Sequence, residues 1–225
     1  MNALEIVLGW RPQSFGSQRS SRVHDPIVEP LWSGPRILGA ASGGKALLQD
    51  VEGERLDGLA ALAAALTDAA SADELIVDGY VTAEVAHDGT GTYTGGDGLD
   101  AANNLLSRTV LVKRPVSDDR RLDEGRAARM PREDDRVALV LVDLLWLDGV
   151  SLLDIPLLER RRLLESVIVQ SDLVRSGIYV RPPIDTWVGS WRSMGFPGIS
   201  YKSANSRYTP GAASHEWISA AMPRR

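Results

Sequence analysis

The chain has 225 residues, 44% hydrophobic and 24% charged, with no cysteine and a formal net charge of −5. That length supports one large domain or two small ones with a real core, and nowhere do about 18 consecutive apolar residues occur to cross a bilayer. Disulfides, thiolate metal sites and thiol nucleophiles are excluded, and three scattered histidines (His24, His87, His215) leave any metal to oxygen ligands.

Leu4–Leu8 reads as a short strand and Trp10–His24, rich in Ser, Gly and Arg, as a loop, so residues 1–25 form a lead-in and the domain proper spans 26–225. Met1–Trp10 carries Glu5 where a secretory leader needs a basic flank, which makes a cytoplasmic location the expectation. Between Arg36 and Leu48 two apolar runs flank Ala-Ser-Gly-Gly, the pattern of a β-hairpin with a glycine turn. Leu56–Ala70 has apolar residues at helical spacing, and Glu74–Glu84 is a β-branched run broken by Asp78-Gly79. A helix therefore precedes a strand. The glycine-dense His87–Asp100 lacks the Gly-Lys-Ser/Thr ending of a phosphate loop; with the charge-dense Ser117–Arg136 it makes 87–136 an expected mobile insertion. Arg136–Gly149 reads as a buried strand and turn, and Pro156–Ile168 as an amphipathic helix whose Arg160, Arg161 and Arg162 form its solvated side. A strand over Gly177–Arg181, a helix over Asp185–Met194 with Trp187 and Trp191 one turn apart, and a strand over Gly198–Lys202 follow. Hairpins interleaved with helices, without βαβ alternation, define an α+β class.

Four segments in chain order resemble the adenylation (nucleotidyltransferase) domain of ATP-dependent DNA ligases. Val142–Ile168 is similar to the family's strand-turn-helix FDLLYLDG with its Pro-Leu-Leu-Glu-Arg-Arg helix, and Phe196–Ala220 to motif IV, the Ser-x-Tyr-x-Pro-Gly loop and the tryptophan opening motif V. Glu74–Glu84 looks like motif III, and Val28–Leu48 like the motif I hairpin, whose family form is Glu-Pro-Lys-x-Asp-Gly-x-Arg. The resemblance implies a ligase-type, ATP-grasp-like fold: two antiparallel sheets flanked by helices, with a nucleotide cleft between them. It also implies a chemistry in which the motif I lysine attacks the α-phosphate of ATP, with carboxylate-held Mg²⁺ offsetting the phosphate charge.

Carried over position by position, the resemblance puts Leu31 where the nucleophilic lysine stands and Ser33 where motif I has its aspartate. Tyr80 replaces the motif III glutamate that contacts ribose, Pro197 the metal-linked glutamate of motif IV, and Val142 the aromatic that stacks on adenine. Ser219 and Ala221 fall on the phosphate-contacting lysines of motif V. Gly34, Arg36, Asp78, Gly79, Asp143, Gly198, Lys202 and Trp217 match the family.

The expectation is a non-catalytic descendant without catalytic residue or metal ligands, whose nucleotide- or phosphate-binding candidates are Trp32, Gly34, Arg36, Asp78, Gly79 and Lys202. ATP and Mg²⁺ are expected only if the family activity persists. Expected partners are a nucleotide or DNA in the former cleft, or a protein, and no membrane; DNA repair follows from the resemblance. Two alternatives stay open. One is a working ligase in which Lys45, across the hairpin from motif I, substitutes as nucleophile; the other is a protein-interaction module anchored on Trp187 and Trp191. Plainer readings stand beside these: Gly34 and Gly79 as points of close backbone approach or positive φ, Asp78 and Asp143 as turn or strand-end hydrogen bonders. Arg36 suits a phosphate or a carboxylate, and Lys202 a phosphate or a solvated strand end. The family continues after motif V into an OB-fold; only four residues follow Ala221 here, so sealing a nick is expected to need a partner.

Overall fold

The computed structural model describes residues 2–32, 34–84, 109–110, 137–194 and 196–222. Helix α1 (Ala3–Leu8) occupies the place of the strand expected at Leu4–Leu8. Asn2 decides the matter: its side chain accepts from the Glu5 N–H at 3.0 Å while the Glu5 carboxylate accepts from the Asn2 N–H at 3.1 Å, a reciprocal cap that favours helix over strand. Ala3, Ile6 and Val7 of this helix are buried in one cluster with Ile27, Leu38, Ile76, Leu145 and Trp217. Helix α1 is thus part of the core.

Two sheets organise the rest. The smaller has the order β1 (Ser14–Gly16), β11 (Ala213–Ala221), β10 (Gly198–Ser203), β2 (Pro26–Pro30), antiparallel except for the parallel β1–β11 pair. The larger runs β4 (Lys45–Gln49), β3 (Arg36–Ser42), β5 (Glu74–Glu84), β7 (Val137–Leu147), β8 (Val150–Ser151). Beside β5 lies β6 (Thr109–Val110), and β9 (Val174–Ser176) joins β7 in parallel. The predicted hairpin is β3–β4, turned by Gly43 and Gly44 at φ 58° and 73°, a conformation that costs other residues heavily. The strand expected over Gly177–Arg181 lies earlier, at β9; within the expected span only Val180 bridges to Val28. Pro182 and Pro183, which lack a backbone donor, close off any longer ladder. Apart from β6, the expected insertion at 87–136 lies outside the described residues.

Helices α2 (Ala60–Ala69) and α3 (Leu157–Val167) cover the outer face of the larger sheet. Leu62, Leu66, Ala69 and Leu164 pack there against Ile37, Leu75, Val77, Val81, Leu139, Leu141 and Leu144. Helix α4 (Asp185–Ser193) contributes Val188 and Trp191 to a third cluster with Val28, Trp32, Tyr80, Val140, Val142, Phe196 and Ile199. Strand β5 displays the consequence: alternation puts Ile76, Asp78 and Tyr80 on one face, so a carboxylate sits between an apolar cluster containing Ile76 and another containing Tyr80. No helix among the described residues is long and apolar enough to cross a membrane.

Candidate functional site

Cross-strand register builds the site. Lys202 lies opposite both Ile27 and Trp217, and Ser200 opposite Glu29, so Glu29, Lys202 and Trp217 share one face of the smaller sheet. In the larger sheet Leu38 opposes Asp78 and Arg36 opposes Tyr80. Ile27 and Trp217 pack with Leu38 and Ile76, so these two faces look at each other.

The charges between them are paired. Lys202, 1% exposed, places its amine 2.6 Å from Glu29 Oε2 and 4.6 Å from the centroid of the Trp217 ring. Arg36, 2% exposed, donates through two nitrogens to the two oxygens of Asp78, at 2.9 and 2.6 Å. The Tyr208 hydroxyl donates to Asp78 at 2.7 Å and accepts from the Gln13 N–H at 2.9 Å. A second bidentate pair joins Arg160 to Asp143, both bonds at 2.8 Å, and Arg160 also donates to the Ser206 carbonyl at 3.2 Å. Arg161 donates to the carbonyls of Leu141 and Gly177 and comes within 3.9 Å of Glu29. Burial pulls the Arg36 pKa down, but Asp78, Tyr80 and Tyr208 together outweigh it and the guanidinium is held charged more firmly than usual. For Tyr208, burial and then the Asp78 carboxylate push the hydroxyl well above its ordinary 10.0, so it stays a neutral donor.

The sequence candidates fall as follows. Asp78 and Asp143 are hydrogen bonders, as the plain reading has them, though as buried ion-pair acceptors in mid-strand rather than at turns. Arg36 pairs with the Asp78 carboxylate. Lys202 is no solvated strand end; its amine faces Glu29. Gly34 and Gly79 are points of close approach: a Cβ on Gly34 would land on the Val81 carbonyl oxygen, and one on Gly79 would come within 2.6 Å of the Val140 carbonyl oxygen. Trp32 is buried edge-on against Phe196, ring centroids 5.2 Å apart. Leu31, half-buried, accompanies Gly198, whose carbonyl accepts from its N–H at 2.9 Å. Ser33 lies outside the described residues. Lys45 is exposed at the hairpin tip, opposite Ser42, and borders a groove with α2.

One expectation changes. Arg160 and Arg161 are fully buried and only Arg162 is solvated, at 60% exposure, because the helix turns its first two arginines onto Asp143 and the strand carbonyls. Of the tryptophan pair, Trp191 is core and Trp187 half-buried, their rings 6.0 Å apart. Sequence reasoning passed over Glu29. Its signal was available: Glu29 and Pro30 match the Glu-Pro that opens the motif I form.

Two facing sheets, a β3–β4 hairpin and a buried strand leading into α3 make up a nucleotidyltransferase fold of the DNA ligase type. The model of the ATP dependent DNA ligase domain matches residues 56–219, and the chain belongs to that family as an adenylation-type domain. A DNA ligase from Methanothrix thermoacetophila is 32% identical over 148 residues, 64% of this chain but 24% of that protein. The ligase domain of LigD from M. tuberculosis superposes with a TM-score of 0.63 at 21% identity, covering 95% of this chain and 60% of that one. A mycobacterial DNA ligase D complexed with ATP and MES gives 0.61 at 21%, covering 94% and 60%. At such identities the likeness is one of fold. The chain spans about a quarter of the archaeal ligase, as the 24% coverage shows.

The family name implies ATP, and with it a divalent metal. The residues present do not suit that pair. Positions 31, 80, 142 and 197 offer Leu, Tyr, Val and Pro, with no carboxylate or amine among them. Tyr80 and Val142 belong to the apolar cluster, 6% and 2% exposed. Among the described residues no three His, Asp or Glu side chains gather as a metal site.

Proposed function

We propose that this is a non-catalytic ligase-type domain, which contributes to DNA repair by presenting its fold to DNA or to a protein rather than by forming a lysyl-adenylate. The observation that carries the reading is Leu31. A leucine has no lone pair to attack phosphorus, and the positions around it that would hold ribose, adenine and metal are apolar. Relocating the nucleophile meets a geometric obstacle. Lys45 projects from the tip of an edge strand of the larger sheet, whereas Leu31 follows β2 of the smaller one, beside Gly198. The groove Lys45 borders is lined by Ala60, Ala63, Ala64 and Thr67 of α2, on the outer side of the sheet. Partner binding then falls to exposed side chains such as Arg19, Arg22 and Arg207.

Intact-protein mass spectrometry after incubation with ATP and Mg²⁺ tests the proposal. The expected mass is unchanged. A stable gain of one AMP, mapped to a lysine-containing peptide and lost in Lys45→Ala, would establish a relocated nucleophile and end the non-catalytic reading.

A further inference from the structure

Lys202 and Arg36 are the two cations that the sequence offers for a phosphate, and the structure gives both another occupation. Each faces a buried carboxylate, Glu29 at 2.6 Å and Asp78 at 2.6 Å, and each lies over the same two aromatic rings. The Lys202 amine is 5.8 Å from Phe15 and 4.6 Å from Trp217; the Arg36 guanidinium is 5.9 Å from both. Phe15 and Trp217 stand 6.0 Å apart on neighbouring strands β1 and β11, and Arg36 reaches them from the opposite sheet. Two carboxylates, two cations and the aromatic pair thus gather in one contiguous group between the sheets. Tyr208 and Arg160 tie the loop after β10 to Asp78 and Asp143 of the larger sheet, and Arg161 approaches Glu29 from α3.

We propose that Glu29–Lys202 and Asp78–Arg36, bridged by the Phe15 and Trp217 rings, form a tether between the sheets, and that the cleft therefore holds no reversible site for a nucleotide or pyrophosphate. The inference rests on the non-catalytic reading of the same site and extends it from chemistry to binding. A phosphate that took either cation would leave Asp78 with only the Tyr208 hydroxyl, or Glu29 with only Arg161 at 3.9 Å, each a buried carboxylate without its close counter-ion, which is costly. It would also meet the field of those carboxylates on approach. Cation–π contacts of this length add attraction that a triphosphate would have to replace.

The test is thermal unfolding of the full chain with ATP, AMP or pyrophosphate, each with Mg²⁺, in wild type, Lys202→Met, Glu29→Met and the double variant. A ligand present at about a hundredfold its dissociation constant raises the melting temperature of a domain this size by about 5–10 °C. The wild type is expected to show no such rise with any of the three. Each single variant is expected to melt well below wild type, since each strands a buried charge, and the double variant to recover most of the loss, because Arg161 keeps its two carbonyl acceptors. A nucleotide-induced rise in wild type that vanishes in the double variant would overturn the tether while leaving an unchanged protein mass, and with it the non-catalytic reading, untouched. A double variant that melts no higher than the singles would overturn the pairing itself.

Discussion

Asp78→Asn probes the centre of the charge layer with the smallest change of shape. The carboxylate accepts two bonds from Arg36 and one from Tyr208, and neither it nor its partners is more than 3% exposed. The amide keeps the volume and removes the charge, leaving a guanidinium buried without a counter-ion. Stranding one member of a buried pair costs about 3–5 kcal/mol. Domains of this kind have about 5–15 kcal/mol of stability in total, so the variant is expected to sit near the edge of folding. Equilibrium unfolding in urea, followed by tryptophan fluorescence and circular dichroism, reads the loss as a lower midpoint at unchanged slope. The companion is Arg36→Met with Asp78→Leu, in which both charges leave together and most of the lost stability is expected to return. Two results would refute the reasoning: an Asp78→Asn midpoint within about 1 kcal/mol of wild type, or a double variant no better than the single.

Gly34→Ala is expected to destabilise by about 1–3 kcal/mol or to abolish soluble expression, because the added methyl meets a backbone carbonyl that no rotamer change can move aside; a urea midpoint equal to wild type would contradict this. Leu31→Lys alone is expected to gain no AMP in the intact-mass assay, since Pro197 still supplies no carboxylate for the metal and Tyr80 none for the ribose; a gain of one AMP would show that the rest of the site is competent. In alkali, Tyr208 holds its proton in the fold but loses it near 10 when unfolded, so its contribution is fully present below pH 10 and declines as the pH rises beyond it. Tyr208→Phe should flatten that decline. Burial also raises Tyr179 and Tyr201, so tyrosinate absorbance should show fewer than the full five tyrosines titrating near 10 before the protein unfolds, and titration of all five in the folded protein would be the contrary result.

The hairpin, the buried strand at 137–147 and the amphipathic helix after it were legible because each is written in local chemistry: paired glycines, an unbroken apolar run, leucines at helical spacing. The amino-terminal helix was misread because six residues carry too little periodicity to tell helix from strand, and the deciding information lay in a cap, Asn2 with Glu5, rather than in the apolar pattern. Arg160 and Arg161 were misassigned for a different reason. A run of arginines on an amphipathic helix reads as solvated, and nothing local announces that Asp143, a strand away, turns one of them inward. The face of the candidate site was legible through family likeness, whereas the pairing of Lys202 with Glu29 depends on the β2–β10 register, which a single sequence does not contain.

The residues that match the family and those that depart from it sort by what each does for the fold. Arg36, Asp78, Asp143 and Lys202 belong to the charge layer, and replacing any one of them strands a buried partner. Tyr80 and Val142 stand where the family form serves the ligand, and both pack into a core containing Trp191 and Phe196. Active sites are locally unfavourable to folding, so a domain relieved of catalysis can trade such groups for packing. The same trade is closed to the tether residues, whatever the ligand was. On this reading the cleft has become interior. What the domain still recognises is to be sought on its outer surface, where exposed arginines and the half-buried Trp187 remain available to a partner.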